Sequence, residues 1–256
     1  MKTTWNRWIG KVRRFITHPL AMAAAVSLVV SLGLSACQSV QGYTQPSLLR
    51  IIDASYIAGA INVYVESELV ASNIAAPYIA ANYATLPASS SAQVVVTAAA
   101  ATGPILSNAL VTSNVTLLAG QQHSVFLTDN GSSPASYNVT VIADQQITAP
   151  AAHSEFRFIN EAPRTGANGV DVYMVPTGDK LSDANLLLTV PLGAVVGYTI
   201  IPAEALTMII APSGQTTLYS STPLTLVGGE VRTVLIADSQ LTNQPPLVLV
   251  VADDVN

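Results

Sequence analysis

The chain has 256 residues, half of them apolar and a tenth charged, with 10 Lys+Arg against 15 Asp+Glu. Five of the bases (Lys2, Arg7, Lys11, Arg13 and Arg14) lie in the first 36 residues and every acid follows Cys37, so the chain beyond residue 36 sets five bases against fifteen acids, a formal charge of −10. That balance excludes nucleic-acid binding, which needs a concentrated basic surface, and electrostatic attraction to anionic lipid.

Residues 1–19 are basic and free of acids, residues 20–34 form an apolar run of about 15 residues, and Ser35 and Ala36 are small residues ahead of Cys37, the only cysteine. A basic region, a short apolar run and small residues at a cleavage point predict a secretory signal, since about 20 apolar residues are needed to span a bilayer as a helix. Leu34-Ser35-Ala36-Cys37 resembles the lipobox of bacterial lipoproteins. The resemblance implies that residues 1–36 are a lipoprotein signal peptide, that cleavage falls between Ala36 and Cys37, and that Cys37 carries the lipid. Gln38, where an Asp would favour inner-membrane retention, implies the outer membrane, periplasmic or surface-exposed. Several acyl chains anchor stably where one is marginal. Arg13-Arg14 hints at twin-arginine export, but the flanking pattern is imperfect and the general secretory route is expected. Residues 37–47 then read as a polar tether.

Beyond the tether no cysteine remains for a disulfide, so the chain must be stabilised by burying apolar surface, which about 200 residues can do. Val, Ile, Leu and Ala alternate with Thr, Ser, Gly, Pro and Asn, the composition of short strands and turns. A duplication organises them. The stretch from Arg50 through Ile61-Asn62-Val63-Tyr64 matches that from Arg157 through Val170-Asp171-Val172-Tyr173; the strands ending at Asp129 and Asp144 match those ending at Asp238 and Asp253; Gly120 matches Gly229. The two units span residues 48–147 and 154–254. In the first, Ile61, Val63 and Val65 point to one face and Asn62, Tyr64 and Glu66 to the other, a half-buried strand; Val170, Val172 and Met174 repeat this. Asp129-Asn130-Gly131 signals a turn. Seven to nine short strands per unit predict an all-β chain, with two tandem antiparallel β-sandwiches of the Ig-like or transthyretin-like kind after an N-terminal signal helix. The ten-residue stretch 145–154, QQITAPAAHS, where the units join predicts a stacked or bent pair with limited hinge motion.

The pattern Arg, then His, Asn or Asp, then Ala, followed by Val-Asp-Val-Tyr, resembles the bacterial family called domain of unknown function 4397. The second unit keeps Arg157, Asn160, Ala162, Pro163, Asp171, Val172 and Tyr173; the first keeps Arg50, Ala54, Val63 and Tyr64 but has Asn62 in place of the Asp. The resemblance implies two copies of an exported β-sandwich module found on cell surfaces, without an agreed activity.

Candidates for chemistry are few. His123 and His153 are the histidines beyond the signal, and neither has a second ligand at metal spacing or a serine elbow to serve, so no transition-metal site or triad is expected. Asp129, Asp144, Asp238 and Asp253 end apolar strands; they are candidates for Ca²⁺ at one rim of the sandwich, although turn initiation by Asp is the preferred reading. Arg50 and Arg157 sit at matched positions within apolar strands and are expected to form internal ion pairs, with anion binding as the alternative. Tyr64 and Tyr173 face away from the buried valines and are expected to pack rather than to stack on sugars. No cofactor is expected. These readings predict a lipid-anchored cell-envelope protein that is not an enzyme, serving in binding, adhesion or structure with a cell-surface protein or glycan as partner. The alternative is an envelope glycan- or ester-acting enzyme.

Overall fold

A computed structural model describes residues 44–55, 59–101, 103–104, 106–129, 137–215, 220–238 and 247–255. The expected signal, its cleavage at Ala36 and Cys37, and most of the turn at Asn130 and Gly131 lie outside the described residues. Every described strand lies within residues 44–256.

The first half contains β1 (Ser47–Asp53), β2 (Ile61–Val65), β3 (Glu68–Ile74), β4 (Tyr78–Ile79), β5 (Ala84–Leu86), β6 (Ser89–Ala98), β7 (Ala109–Leu117), β8 (Gln122–Asp129) and β9 (Tyr137–Ala143). The second contains β10 (His153–Glu161), β11 (Val170–Pro176), β12 (Leu186–Val190), β13 (Val195–Pro202), β14 (Ala205–Pro212), β15 (Ser220–Thr225), β16 (Val231–Asp238) and β17 (Leu247–Asp253). Among the described residues there is no α-helix. Four sheets form: β4-β1-β8-β9 with β5 beside β1, β3-β2-β6-β7, β13-β10-β16-β17 and β12-β11-β14-β15. The halves correspond strand for strand, β1 with β10, β2 with β11, β6 with β14, β8 with β16 and β9 with β17. Gly120 and Gly229 both adopt positive φ, 69° and 95°, in the turns before β8 and β16, which explains why glycine recurs there.

The sheets depart from a purely antiparallel plan at one place in each sandwich. β1 runs parallel to β8, and β10 parallel to β16. These partners are separated by a whole second sheet in the chain, so no hairpin forces them to be antiparallel.

Each sandwich has its own core. Leu49, Ile51, Val125 and Leu127 meet Ile61, Val63, Val94 and Val96 in the first; Phe156, Phe158, Val234 and Ile236 meet Val170, Val172, Met208 and Ile210 in the second. The intervening residues of the same strands form a third cluster. Ile52 and Phe126 from the first sandwich pack with Ile159 and Leu235 from the second. The central strands β1, β8, β10 and β16 are therefore covered on both faces, giving four layers, whereas the edge strands β7 and β9 alternate between covered and exposed residues.

Candidate functional site

Period-two alternation decides which residues reach the layer between the sandwiches. In β1 Leu49 and Ile51 point into the first core, so Arg50 and Ile52 point across. In β10 Phe156 and Phe158 point into the second core, so Arg157 and Ile159 point back. Arg50 and Arg157 are 1% and 3% exposed. An ionised guanidinium so placed must be both paired and hydrogen-bonded.

Both are. Arg50 Nη2 donates to Asp254 Oδ1, its Nε donates to Ser124 Oγ at 2.8 Å, and its Nη1 donates to the Asp253 carbonyl at 3.1 Å. Arg157 repeats the pattern in the opposite direction: Nη2 donates to Asp144 Oδ1, Nε to Thr233 Oγ1 at 3.1 Å, and Nη1 to the Ala143 carbonyl at 3.1 Å. Each arginine also faces the other carboxylate, Arg50 to Asp144 at 3.7 Å and Arg157 to Asp254 at 3.9 Å. Thr233 links the halves; its hydroxyl accepts from Arg50 and Arg157 and donates to Asp254. Ser124 donates to Asp144 at 2.7 Å. Tyr83 lies under the Arg50 guanidinium at 5.2 Å and Tyr198 under Arg157 at 5.1 Å, and their hydroxyls donate to Asp144 and Asp254. Burial first, and the neighbouring carboxylates second, push both phenols well above the ordinary tyrosine range, so they act only as neutral donors. Two cations and two anions are thus held without net charge, and the arrangement is isologous: each sandwich gives an arginine and receives a carboxylate.

The expected alignment of Asp144 with Asp253 shifts by one residue here. The backbone N–H of Asp144 donates to the Gln122 carbonyl and that of Asp254 to the Val231 carbonyl. Asp254, not Asp253, is therefore the counterpart of Asp144. The repeated Ala-Asp ending drew the match onto the first of two adjacent acids. Asp253 lies at the surface and pairs with Arg232 at 2.9 Å.

The four strand-end aspartates do not share a rim, contrary to the Ca²⁺ expectation. β8 and β9 are antiparallel with His123 opposite Ala143, so Asp129 and Asp144 lie at opposite ends. β16 and β17 separate Asp238 from Asp253 in the same way. Asp238 accepts from the Arg164 backbone N–H at 3.2 Å, a turn-fixing role. Among the described residues no three metal-binding side chains converge.

The end carrying Asp129 gathers carboxyls that sequence reasoning passed over. Asp53 is fully buried; its Oδ1 accepts from the Ser55 N–H and hydroxyl, and its Oδ2 has no partner among the described residues. Burial, with Asp129 adding repulsion, raises Asp53 to about 6 and Glu161 to about 7. The cleft lined by Ser55, Pro77, Glu161 and Asp238 has room for about 10 Å³, enough for one water.

His123 is buried, its Nε2 accepting from the Leu118 N–H at 3.1 Å. His153 is the first residue of β10, placed by the fold in the strand and not in a linker. Tyr64 is buried on the outer face of its sheet while Tyr173 is half-exposed. Asp171 accepts from Thr189 Oγ1 at 2.6 Å and from the Gly214 N–H at 2.9 Å, fixing the loop after β14; Asn62, its counterpart, accepts from the Asn73 N–H. An uncharged groove of about 470 Å³ opens between β7 and β9, lined by Asn114, Val115, Leu118, Val139, Thr140 and Val141.

The family model described as "Domain of unknown function (DUF4397)" matches residues 47–173, which take in the first sandwich, β10 and the first four residues of β11. No curated protein matches the chain. Among solved structures, an alpha-glucan-binding streptococcal virulence factor is 8% identical over 75% of this chain and 93% of its own, with a TM-score of 0.26. A family 26 carbohydrate-binding module from Eubacterium rectale, in complex with maltoheptaose, is 10% identical over 79% and 96%, with a TM-score of 0.26. A candidate cell adhesion protein from Bacteroides ovatus is 10% identical over 83% and 98%, with a TM-score of 0.25.

Proposed function

We propose that the chain is a lipid-anchored protein of the outer membrane, attached through Cys37, whose two sandwiches act as one rigid, non-enzymatic binding or structural module. The second sandwich, on this reading, is a second copy of the domain whose family model matches residues 47–173. The observation that carries the proposal is the reciprocal Arg50–Asp254 and Arg157–Asp144 network. The two matched arginines are both committed to joining the sandwiches, as is Asp144, the one strand-end aspartate that is buried beside them. The molecule spends its internal ion pairs on holding two β modules in fixed register, which suits a part that presents surfaces. The partner is a cell-surface protein or glycan.

Support for the anchor is the Leu34-Ser35-Ala36-Cys37 sequence with Gln38 after it. The raised carboxyls Asp53 and Glu161 favour the alternative of a glycan- or ester-acting enzyme. A fully buried Asp53 beside a space for one water does not meet a sugar ring, so the binding reading is preferred. The test is metabolic labelling of cells with an alkyne fatty acid, followed by crosslinking and mass spectrometry. Label on the wild-type chain and none on Cys37→Ser, with a reproducible crosslinked envelope component, is the expected result. An unlabelled wild type refutes the anchor, and turnover of an envelope glycan or ester by the purified chain refutes the non-enzymatic reading.

A further inference from the structure

Among the described residues the four sheets present eight edges, and seven carry a feature that discourages another strand from adding. β4 and β5 are two and three residues long. β3 begins with Glu68 and its pairing slips register twice. Register slips also interrupt the pairings of β7, β12 and β13. Pro223 sits within β15, and β17 ends in the charged Asp253 with β4 of the first sandwich against it. These are the ordinary protections of an exposed edge. β7 of the facing sheet lies near β9 without pairing to it, but β9 itself has none of the sequence or register features. Its sequence, Tyr-Asn-Val-Thr-Val-Ile-Ala, contains no charge and no proline, and it pairs with β8 in unbroken register over seven residues.

The direction of its backbone groups follows from the ladder. The Asp144 N–H donates to the Gln122 carbonyl, so that pair exchanges bonds, and bonded pairs recur at every second residue. Ile142, Thr140 and Asn138 therefore bond to β8, while Ala143, Val141, Val139 and Tyr137 turn their N–H and C=O groups outward. Arg157 independently supports this parity, because it reaches the Ala143 carbonyl from outside the sheet. Tyr137, Val139 and Val141 are left with outward groups along an open edge beside the uncharged β7–β9 groove.

We propose that the β9 edge is a self-association surface, on which β9 of a second copy adds antiparallel about a twofold axis at Val139. Three observations select a second copy as the occupant. Pairing about Val139 sets Tyr137 opposite Val141 and Asn138 opposite Thr140, so the strand is complementary to itself with no like charges facing. The chain beyond the signal carries a formal charge of −10, so most faces of two copies repel, and this edge and its groove are free of charged residues. The outward N–H and C=O groups match the donors and acceptors that another extended backbone presents. The pairing joins the β9-edged sheets of two molecules into one continuous sheet, and it does not depend on the lipid anchor.

Sedimentation velocity on the full chain in density-matched detergent tests it. The wild type is expected to dimerise at micromolar concentration. Val139→Pro removes an outward N–H without breaking a bond to β8, and Thr140→Lys places two ammonium groups across the axis; each is expected to raise the dimer dissociation constant at least about tenfold. Thr225→Lys, on the β15 edge, leaves it unchanged. A second readout needs no variant: the Val139 and Val141 amides should exchange with deuterium more slowly as protein concentration rises. A wild type that stays monomeric, a dimer indifferent to both β9 changes, or exchange independent of concentration would each overturn the proposal.

Discussion

Arg157 in the second sandwich and Asp144 in the first form a direct ion pair inside the molecule, 3% and 0% exposed at their side chains. Their counterparts Arg50 and Asp254 form the same contact in the reverse sense, and both of those side chains are 0% exposed. The two contacts make the boundary between the sandwiches an interior and not a hinge.

Removing one partner strands the other charge. Arg157→Met should destabilise the chain by about 3–5 kcal/mol, because Asp144 is left buried and uncompensated. Replacing the pair together, Arg157→Met with Asp144→Leu, should recover much of the loss. Urea unfolding of the single and double variants measures the coupling, and an unchanged midpoint for Arg157→Met contradicts the network's structural role.

Adjacent aspartates should behave in opposite ways. Asp254→Asn removes the charge facing Arg50 from a carboxylate that accepts from Arg50, Tyr198 and Thr233 in the buried layer and should cost several kcal/mol, whereas Asp253→Asn loses a surface pair with Arg232 worth about 0–1 kcal/mol. Thermal melts of the two variants side by side decide which acid is the counterpart of Asp144. Equal losses would mean that the one-residue shift is wrong.

Thr233 accepts from both arginines through one hydroxyl. Thr233→Val keeps the shape and removes that oxygen, so about 1–3 kcal/mol of stability should go. Thr233→Ser should retain most of it. If valine and serine perform alike in denaturant melts, the hydroxyl has no role in joining the sandwiches.

Asp53 and Glu161 titrate at about 6 and about 7 in the folded chain, above the ordinary 3.8 and 4.5. A carboxyl whose folded value is raised binds its proton more tightly when folded. Its contribution is therefore fully present below the ordinary value and lost as pH rises through the folded one, a window from about 4 to about 7. Burial lowers His123 from 6.5, which acts in the opposite sense over part of that window. The discriminating readout is a difference: the fall in Tm between about pH 5 and about pH 7.5 should shrink in Asp53→Asn and in Glu161→Gln relative to wild type. An identical fall in all three would show that neither carboxyl is raised.

Much of the strand plan was legible, for a local reason. Val63 between Asn62 and Tyr64, or Val172 between Asp171 and Tyr173, records the two-residue alternation of side chains that a strand imposes. Gly120 and Gly229 were legible as turn positions because each takes positive φ just ahead of a strand. The parallel pairing of β1 with β8 was not, since no turn signal links strands so far apart in the chain. Asp53 and Glu161 escaped notice because their unusual titration comes from burial and from Asp129, neither of which marks a sequence.

Arg50 and Arg157 show where the division falls. Their matched places within apolar strands told, from the residues alone, that a β protein had two charges to bury. Which acids neutralise them was settled by the stacking of two sheets, which carries Asp254 to Arg50 across 204 residues of chain and sets Asp253 beside it in solvent. Periodicity is a property of neighbours along a strand. Charge pairing depends on distances through space, and only the packed layers supply those.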